Sequence, residues 1–317
     1  MFDIQKSVVL VGLGKIGLTY DLKDAIILES QTMTHCKALA ESEYFKLTGV
    51  VDISSNARML ASKIFGVVTF KNLHECISRI HPEVLVIATP TFNHLEIIQS
   101  IPTDKMPEIL VLEKPAGRNA EECILIEEWA KYNNVEVFVN YFRRYLSNTL
   151  IAKETISNLN LGKLLEIKIQ AYGTLQNIFS HFLDLIAQLV GKSSLCLCSK
   201  KAIDFETHFV SYCKNCDLQY SFSGLGLLSA ECKVFLRFEN YDISVLKSGR
   251  IIKISNTLTN QFFLFEIDIN DYKNYQKIVY TFLGSRTNNA IDSELNGLEQ
   301  AFRVHKFIES VDFGYVK

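Results

Sequence analysis

Proline, methionine and tryptophan are scarce in this sequence, and neither sign of charge dominates it. The 317 residues include five prolines, four methionines and one tryptophan, and 33 lysines and arginines face 35 aspartates and glutamates. A formal net charge of −2 gives no electrostatic reason to expect nucleic acid or an anionic membrane as a partner. No apolar run reaches the roughly 18 residues that predict a membrane-spanning helix. We therefore expect neither nucleic acid nor a membrane as a partner.

Cysteine is not scarce, and an expected cytoplasmic location favours reduced thiols for all eight cysteines. Because the first predicted strand begins at about Ser7, we expect no signal peptide and a cytoplasmic location. Cys213 and Cys216 form a CxxC pair that could supply half of a zinc site. Cys196 and Cys198 have the wrong spacing for the other half, and SYCKNCDLQY is also typical of two strands around a Lys-Asn turn. We predict strand cysteines and no metal, with zinc as the alternative.

Apolar segments alternate with helix-like segments over the first third of the chain. Continuous apolar strands separated by helices are typical of a parallel sheet covered on both faces. The predicted strands are Ser7–Val11, Leu47–Val51, Val67–Phe70, Val84–Ala88 and Ile109–Leu112. The predicted helices between them are Thr34–Ser42, Ala57–Phe65, Leu73–Ser78 and Asn93–Ile101. This order predicts a doubly wound α/β domain.

The pattern changes after Pro115. A strand is predicted over Val135–Asn140, and helices over Asn119–Asn133, Leu150–Leu159, His181–Leu189 and Ser293–Ser310. From Leu164 onward, alternation of apolar and polar residues predicts a mainly antiparallel, open sheet. The chain is long for a single core, so we predict two domains, residues 1–117 and residues 118–317. A broad open sheet favours a homodimer or homotetramer.

Three glycines end the first predicted strand, in VVLVGLGKIGLTYD. After a strand and before a helix, Gly12 permits a tight turn, Gly14 lets the backbone approach a pyrophosphate, and Gly17 allows close helix packing. The pyrophosphate then lies at the helix N-terminus, and the turn residues Lys15 and Ile16 belong to the same site. We predict a dinucleotide-binding turn; the alternative is a buried strand that ends in glycine and binds nothing.

An acidic residue should follow such a turn by about 20 residues and accept the ribose hydroxyls. The candidate, Asp52 in VVDISS, lies 35 residues beyond Gly17. We interpret the extra length as a loop, DLKDAIILESQTMT, inserted at residues 21–34 beside the cofactor or substrate cleft. Because the Asp52 carboxylate would repel a 2′-phosphate, we predict NAD in preference to NADP.

Six motifs occur in the order found in the Gfo/Idh/MocA oxidoreductases: GLGKIG, VVD, IATPTFNHLEII, EKPAGRNAEE, VNYFRRY and SHFLDLIAQLVG. The sequence resembles this family over nearly its whole length. The resemblance implies a Rossmann domain, a C-terminal domain with an open sheet, a nicotinamide cofactor, and a sugar, cyclitol or sugar nucleotide as substrate. The run YGTLQNIFSHF most resembles a branch associated with bacterial surface-polysaccharide genes.

The resemblance also implies roles for individual residues. The implied cofactor residues, besides the glycine turn and Asp52, are Thr89, Pro90, Asn93, His94, Glu113 and Lys114. The implied substrate residues are Lys114, Tyr141, Arg144, Asn177 and His181. His181 matches the family's catalytic histidine, and Lys114 matches the lysine that points at the reacting carbon. Asn177 departs from the family, which often has an aspartate there.

Hydride transfer from a carbinol needs a base for the hydroxyl proton and a group that stabilises the developing alkoxide. An imidazole with a pKa of about 6.5 suits the first role, which we assign to His181. A fixed ammonium suits the second, which we assign to Lys114. Asn177 can orient substrate or imidazole but supplies no charge. Asp184 either holds His181 or pairs locally, and we favour the local role.

Two classes of function remain open at this point. The first is an NAD(P)-dependent oxidoreductase acting on CH–OH, which the lysine and histidine matches favour. The second is a non-catalytic sensor or partner-binding protein that keeps the fold and cofactor site, which Asn177 favours. Fold alone does not separate the two.

Overall fold

The computed structural model describes residues 5–24, 26–171, 178–191, 198–199, 208–213, 219–224, 231–286 and 297–310. The chain divides into two compact units. The first comprises Met1–Phe142 and Lys273–Ala301, and the second comprises Arg143–Tyr272 and Phe302–Lys317. This division differs from the boundary expected between residues 117 and 118, which stays a prediction about where one folding domain ends.

A six-stranded parallel sheet forms the centre of the first unit, in the order β5-β4-β1-β6-β7-β8. Up to residue 139 the elements are β1 (Lys6–Val11), β2 (Leu22–Lys23), β3 (Ile26–Ile27), α1 (His35–Ala40), β4 (Phe45–Val51), α2 (Ser55–Phe65), β5 (Val68–Phe70), α3 (Leu73–Ile80), β6 (Val84–Ile87), α4 (His94–Gln99), β7 (Ile109–Leu112), α5 (Ala120–Tyr132) and β8 (Glu136–Val139). Every residue of β6 and β7 is buried, as expected for central strands of a sheet covered on both faces.

Side-chain caps fix where several of these helices begin. The cap residues are Thr34, Ser54, Asn72 and Asn119, and each accepts a hydrogen bond from the main-chain amide three positions on. Such a cap satisfies one of the amides that a helix leaves free at its start, and is worth about 1 kcal/mol. The predicted helix starts therefore lie within two residues of the observed ones.

The remaining elements include an eight-stranded sheet in the order β10-β11-β12-β9-β13-β14-β15-β16. They are α6 (Ser147–Ser157), β9 (Leu164–Ala171), α7 (Ser180–Val190), β10 (Cys198–Ser199), β11 (His208–Cys213), β12 (Gln219–Gly224), β13 (Lys233–Phe238), β14 (Tyr241–Leu246), β15 (Ile251–Asn256), β16 (Phe262–Glu266), α8 (Ile269–Lys273), α9 (Tyr275–Arg286) and α10 (Leu298–Ser310). Among the described residues, neighbouring strands of this sheet pair antiparallel except β9 with β12. The predicted fold class is confirmed.

One face of the second sheet carries the apolar core of its unit. Alternate residues of β9, β13, β14 and β15 are fully buried and pack with α7 and the later part of α10. The opposite face carries mixed side chains, including Lys168 and Arg237, which form ion pairs with Glu166 at 3.9 and 3.5 Å. Charged side chains therefore occupy part of this open face.

Several local expectations can now be compared with the structure. The hairpin around KNC is confirmed by antiparallel pairing of β11 with β12, although residues 214–218 of its turn lie outside the described residues. Helices α8 and α9 and strand β16 were not predicted. Cys196 and Cys216 also lie outside the described residues. Within the described ranges, no helix is long and apolar enough to cross a membrane.

Candidate active site

The predicted cofactor residues follow the carboxyl ends of neighbouring strands in the first unit. Main-chain hydrogen bonds continue the ladder one residue beyond these strands, from the amides of Gly12, Ala88, Glu113 and Asn140 to the carbonyls of Val51, Val11, Ile87 and Leu112. The glycine turn, the Thr89 turn and Lys114 therefore share one edge of one sheet. Since β1 lies between β4 and β6, this edge includes the point where strand order reverses, which is where ligands bind in open α/β sheets.

Two of the three glycines are required by packing, and the third faces open space. A methyl group on Gly12, which has a φ of 101°, would lie 2.7 Å from the Ala88 carbonyl. One on Gly17 would lie 2.1 Å from the Gly12 oxygen, whereas one on Gly14 would meet no atom within 4 Å. The close turn and close helix packing are thus both present, and the open position at Gly14 fits the approach of a pyrophosphate.

The helix that begins at this turn is split by an insertion. Leu18 donates to the Gly14 carbonyl, four positions back, but His35 donates to Ile16 and Cys36 to Gly17, each 19 positions back. A continuous helix would use a separation of four, so 15 residues, numbers 20–34, are inserted into it. Subtracting these 15 from the 35 positions between Gly17 and Asp52 leaves 20, the spacing typical of a dinucleotide site.

The insertion has regular secondary structure and defined side-chain contacts. Where we expected a loop over residues 21–34, β2 and β3 form a short antiparallel hairpin. The buried Asp21 carboxylate accepts hydrogen bonds from the amide and hydroxyl of Thr34, both at 2.7 Å, and from the Met33 amide. The buried Lys37 ammonium donates to the carbonyls of Leu28 and Gln31. These contacts return the chain to the helix at a defined place.

Asp52 connects β4 to the glycine turn. Its carboxylate accepts the Leu13 amide at 2.6 Å and the Ser54 amide at 2.8 Å. The Arg58 guanidinium folds back and donates to the Asp52 carbonyl at 2.6 Å. Although Arg58 lies six residues beyond Asp52 in the sequence, the first turn of α2 brings its positive charge beside the acidic residue.

His94 ties together the segments that follow β6 and β7. Its buried ring contacts the Thr89 carbonyl through Nε2 at 2.9 Å and the Ala116 carbonyl through Nδ1 at 3.1 Å. Burial lowers the pKa of His94 and keeps the ring neutral, although the two carbonyls oppose that shift. Among the described residues, none hydrogen-bonds the buried hydroxyl of Thr89, so this group is available to a ligand. Pro90 is exposed and Asn93 half-buried beside it.

Glu113 lies at the centre of a buried polar cluster. Its Oε1 contacts His35 Nε2 at 3.0 Å and accepts Asn140 Nδ2 at 2.6 Å. Asn140 Nδ2 also donates to Gln276 Oε1 at 3.2 Å, and His35 Nδ1 lies 2.7 Å from the Tyr280 hydroxyl. The family resemblance implied a cofactor role for Glu113, and that role stays a prediction. In the structure the carboxylate of Glu113 faces His35 and Asn140.

Burial and neighbouring polar groups set the charge states of Glu113 and Tyr280 in this cluster. Burial by itself raises the pKa of Glu113, but the hydrogen bond and charge of His35, the Asn140 amide and the Lys114 charge together hold it below its usual value. Burial and the Glu113 charge raise the pKa of Tyr280 well above its usual range. Glu113 is therefore an ionised acceptor and Tyr280 a protonated phenol. Lys114, the next residue along the chain, is half-buried.

In the second unit, Arg144 pairs with Asp184 rather than standing open to a substrate. The Nε of Arg144 donates to both carboxylate oxygens, at 3.0 and 2.8 Å, and Nη2 also contacts Oδ1. Both side chains are almost fully buried. Burial raises the pKa of Asp184, and the Arg144 guanidinium opposes that shift. The partner of Asp184 thus lies 40 positions away in the sequence rather than in its own helix, and the substrate role implied for Arg144 stays a prediction.

The other predicted substrate residues are distributed over both units. Tyr141 is 1% exposed in the first unit. His181 is 8% exposed in the first turn of α7, in the second unit. Arg143 donates to the Ser248 carbonyl and to the Tyr272 hydroxyl, each at 3.0 Å, so it too is held by its own unit. Asn177 lies outside the described residues.

Among the described residues, no group of three or more histidine, cysteine, aspartate or glutamate side chains is arranged to hold a metal ion. Cys36, Cys76, Cys123 and Cys232 are buried. Burial raises the pKa of the Cys76 thiol to about 12, so this group is not a thiolate at neutral pH.

Comparison with known proteins finds similarity to one family over residues 6–141. Residues 6–141 match the model of the Gfo/Idh/MocA proteins, an oxidoreductase family with an NAD-binding Rossmann fold. Glucose-6-phosphate 3-dehydrogenase of Bacillus subtilis (strain 168) is 32% identical over 136 residues, which are 43% of this chain and 37% of that protein. The rhizopine catabolism protein MocA of Rhizobium meliloti is 28% identical over 131 residues, 41% of this chain and 40% of that protein. The matched region thus spans about two fifths of each relative.

Solved structures resemble the whole chain in fold. KijD10, a 3-ketoreductase from Actinomadura kijaniata crystallised with NADP and TDP-benzene, has a TM-score of 0.73 at 11% identity, over 98% of both chains. The WlbA dehydrogenase from Bordetella pertussis, crystallised with NADH and UDP-GlcNAcA, has a TM-score of 0.72 at 15% identity, over 98% of this chain and 95% of that one. The expected resemblance to the family is confirmed over residues 6–141, where the matching model describes an NAD-binding Rossmann fold.

Proposed function

We propose, on the premise that residues 6–141 belong to the NAD-binding Gfo/Idh/MocA oxidoreductases, that this protein is an NAD(P)-dependent dehydrogenase or reductase. It acts on a carbinol or ketone of a sugar, cyclitol or sugar nucleotide. The observation that carries the proposal is the shared edge of the parallel sheet. There the open position at Gly14 and the half-buried Lys114 follow strands β1 and β7, which only β6 separates. Two strand spacings are about 10 Å, a distance that a bound dinucleotide can span.

The chain's own residues supply binding and proton chemistry in this proposal. The glycine turn and Asp52 hold the pyrophosphate and adenosine ribose, and Thr89 offers its hydroxyl to the cofactor. A bound nicotinamide supplies hydride chemistry. Lys114 stabilises negative charge that develops on the substrate oxygen, and His181 accepts or returns the hydroxyl proton. Arg144 acts indirectly, by fixing α7 through Asp184.

The proposed substrate class rests on the named activities and bound ligands of the similar proteins. The names glucose-6-phosphate 3-dehydrogenase and 3-ketoreductase, together with the UDP-GlcNAcA bound to WlbA, favour a phosphorylated or nucleotide-linked sugar oxidised or reduced on its ring. A role in polysaccharide biosynthesis, and a cytoplasmic location, belong to the same proposal.

Turnover assays with matched variants test this function. We expect NADH formation or consumption with at least one of glucose 6-phosphate, a UDP-sugar, a TDP-ketosugar or inositol. His181→Ala should bind NADH as the parent does but lose roughly 10²- to 10⁴-fold in kcat, the usual contribution of a positioned proton-transfer group. His74→Ala, a change at an exposed histidine of α3, is the control. A His181→Ala protein with parental kcat would contradict the assignment.

A non-catalytic cofactor-binding sensor is the second candidate. The observation that favours it is Asn177, which supplies no charge where the family often has an aspartate. The two candidates differ in a direct measurement. A sensor binds NAD(H) in calorimetry but leaves bound nicotinamide unchanged with every substrate in the panel.

We also propose that the protein is a homo-oligomer assembled through the open face of its second sheet. Phe262 and Leu264 of β16 are 57% and 53% exposed, and the strand register places them in line with Ser255 and Lys253 on that face. Light scattering should show an assembly larger than 36.1 kDa. Phe262→Glu with Leu264→Glu should reduce it to the monomer, whereas Leu258→Glu, at an exposed turn, should not.

A further inference from the structure

His35 is a fully buried histidine to which neither the family match nor the proposed chemistry gives a role. Its side chain is 0% exposed, yet both ring nitrogens have polar partners in the first unit. One partner, Glu113, directly precedes Lys114, the lysine of the proposed reaction. The other, Tyr280, comes from α9. These contacts connect α9, through His35, to the residue that precedes Lys114.

Proton positions in this chain of contacts follow from the acceptors. An ionised carboxylate only accepts, so His35 Nε2 carries a proton and donates to Glu113 Oε1. The second ring nitrogen, Nδ1, lies 2.7 Å from the Tyr280 hydroxyl. Because burial and the Glu113 charge keep Tyr280 a phenol, its hydroxyl stays a polar partner of the ring. Tyr280, His35 and Glu113 therefore form a continuous line of hydrogen bonds.

Hydrogen bonds fix both the main chain and the carboxylate of Glu113, the residue before Lys114. The Glu113 amide donates to the Ile87 carbonyl of β6 at 2.9 Å, which fixes its main chain. His35 and Asn140 fix its carboxylate. Consequently the carboxylate keeps one place and one charge beside Lys114. A lysine that stabilises an alkoxide depends on such a neighbour for its charge and position.

We propose that His35 is a positioning residue for Lys114, acting through the Glu113 carboxylate. The role of Lys114 in turnover rests on the proposed function, but the coupling of His35 to Lys114 does not. Asp21 contributes indirectly to the position of His35. By holding Thr34, the cap of α1, it determines where the helix restarts and so where His35 points.

Lys114 reactivity in the free protein tests the coupling without cofactor or substrate. The rate of acylation of Lys114 is followed by peptide mass spectrometry between pH 6 and 11. Besides Lys114, the ionisable groups that interact electrostatically with Glu113 are His35, His94 and Tyr280. Loss of a fixed carboxylate charge makes an ammonium easier to deprotonate, so Glu113→Gln should move the Lys114 profile to lower pH.

Variants at His35 decide whether this residue controls that charge. His35→Leu removes the donor, and His35→Asn is too short to place its amide at the Nε2 position. Both should shift the Lys114 profile in the direction of Glu113→Gln and raise the rate at pH 8 about threefold or more. His35→Gln, whose amide reaches further, should restore the parental profile at least in part. His74→Leu, the same change at an exposed site of α3, should change nothing.

Each outcome has one meaning. Parental profiles in His35→Leu and His35→Asn overturn the proposal, and so does an equal shift in the Asn and Gln variants. If His35→Leu fails to fold, the Asn and Gln pair carries the test, because both keep a polar side chain. If no substrate is turned over, the proposed function fails while the labelling result still stands. If turnover is found, His35→Asn should lower kcat and leave the NADH Kd unchanged.

Discussion

Asp21 and Thr34 stand near the two ends of the inserted segment, and the Asp21 carboxylate accepts both the amide and the hydroxyl of Thr34 at 2.7 Å. Asp21 is 1% exposed and Thr34 is fully buried. A buried carboxylate therefore joins the two ends of the insertion, and the helix resumes at His35.

Asp21→Ala should lower the free energy of unfolding by about 2–3 kcal/mol, because it leaves buried donors without an acceptor. Chemical denaturation followed by circular dichroism measures this loss. Asp104→Ala, at an exposed aspartate of the same unit, should stay close to the parent. Equal stability of the two variants would show that the carboxylate does not close the insertion.

Deletion of residues 20–34 should leave the protein folded, since it removes the 15 residues that separate the two halves of the helix. Deletion of residues 21–34 removes one residue fewer and should rotate His35 by about 100° around the helix axis. We expect the first deletion to retain a cooperative thermal transition and the second to lose much of it. Similar melting curves for both would contradict the helical register that Ile16 and His35 define.

Asp52→Asn should reduce the preference for NADH over NADPH by about tenfold, or 1.4 kcal/mol. The amide oxygen can still accept the Leu13 amide, but the charge that repels a 2′-phosphate is gone. Calorimetric Kd values for both cofactors measure the change. In the Asp52→Asn background, Arg58→Ala should then weaken NADPH more than NADH, because Arg58 stands beside residue 52. Equal changes for both cofactors would refute the ribose assignment.

Arg144→Met should destabilise the second unit by about 3–5 kcal/mol, because it strands the Asp184 carboxylate in an apolar environment. The double variant Arg144→Met with Asp184→Leu should recover much of this loss, since no buried charge remains. Denaturation of the parent, both single variants and the double variant completes the cycle. Changes that simply add would show that the two side chains do not depend on each other.

Protonation of Glu113 should contribute to the loss of folding stability at acid pH. Its folded pKa lies below the unfolded value of about 4.3, so the unfolded state binds the proton more readily. The stabilisation is fully present above pH ~4.3 and is lost as pH falls through the folded pKa. Thermal melting from pH 7 to pH 3 should therefore show a shallower acid decline for Glu113→Gln than for the parent. A steeper decline would reverse the sign of the shift.

Much of the first unit was predictable because its signals are local. The apolar runs at Val84–Ile87 and Ile109–Leu112 are buried strands, and four of the predicted helices begin beside a capping side chain. Alternation predicted the sheet of the second unit but missed its strand β16, and helices α8 and α9 were missed as well. The amphipathic pattern of α9 is weak because buried polar residues such as Gln276 interrupt it.

The sequence by itself determined the parallel sheet, the glycine turn and the order of the family motifs, since periodicity and turn chemistry act between neighbours along the chain. Only the tertiary structure decided the rest. The insertion length became clear from hydrogen bonds that skip 19 positions. The partners of His35 lie 78 and 245 positions away, and Arg144 pairs with Asp184 rather than with solvent or substrate. Buried polar groups must find partners wherever the fold brings them, and no local pattern in the sequence records which partners those are.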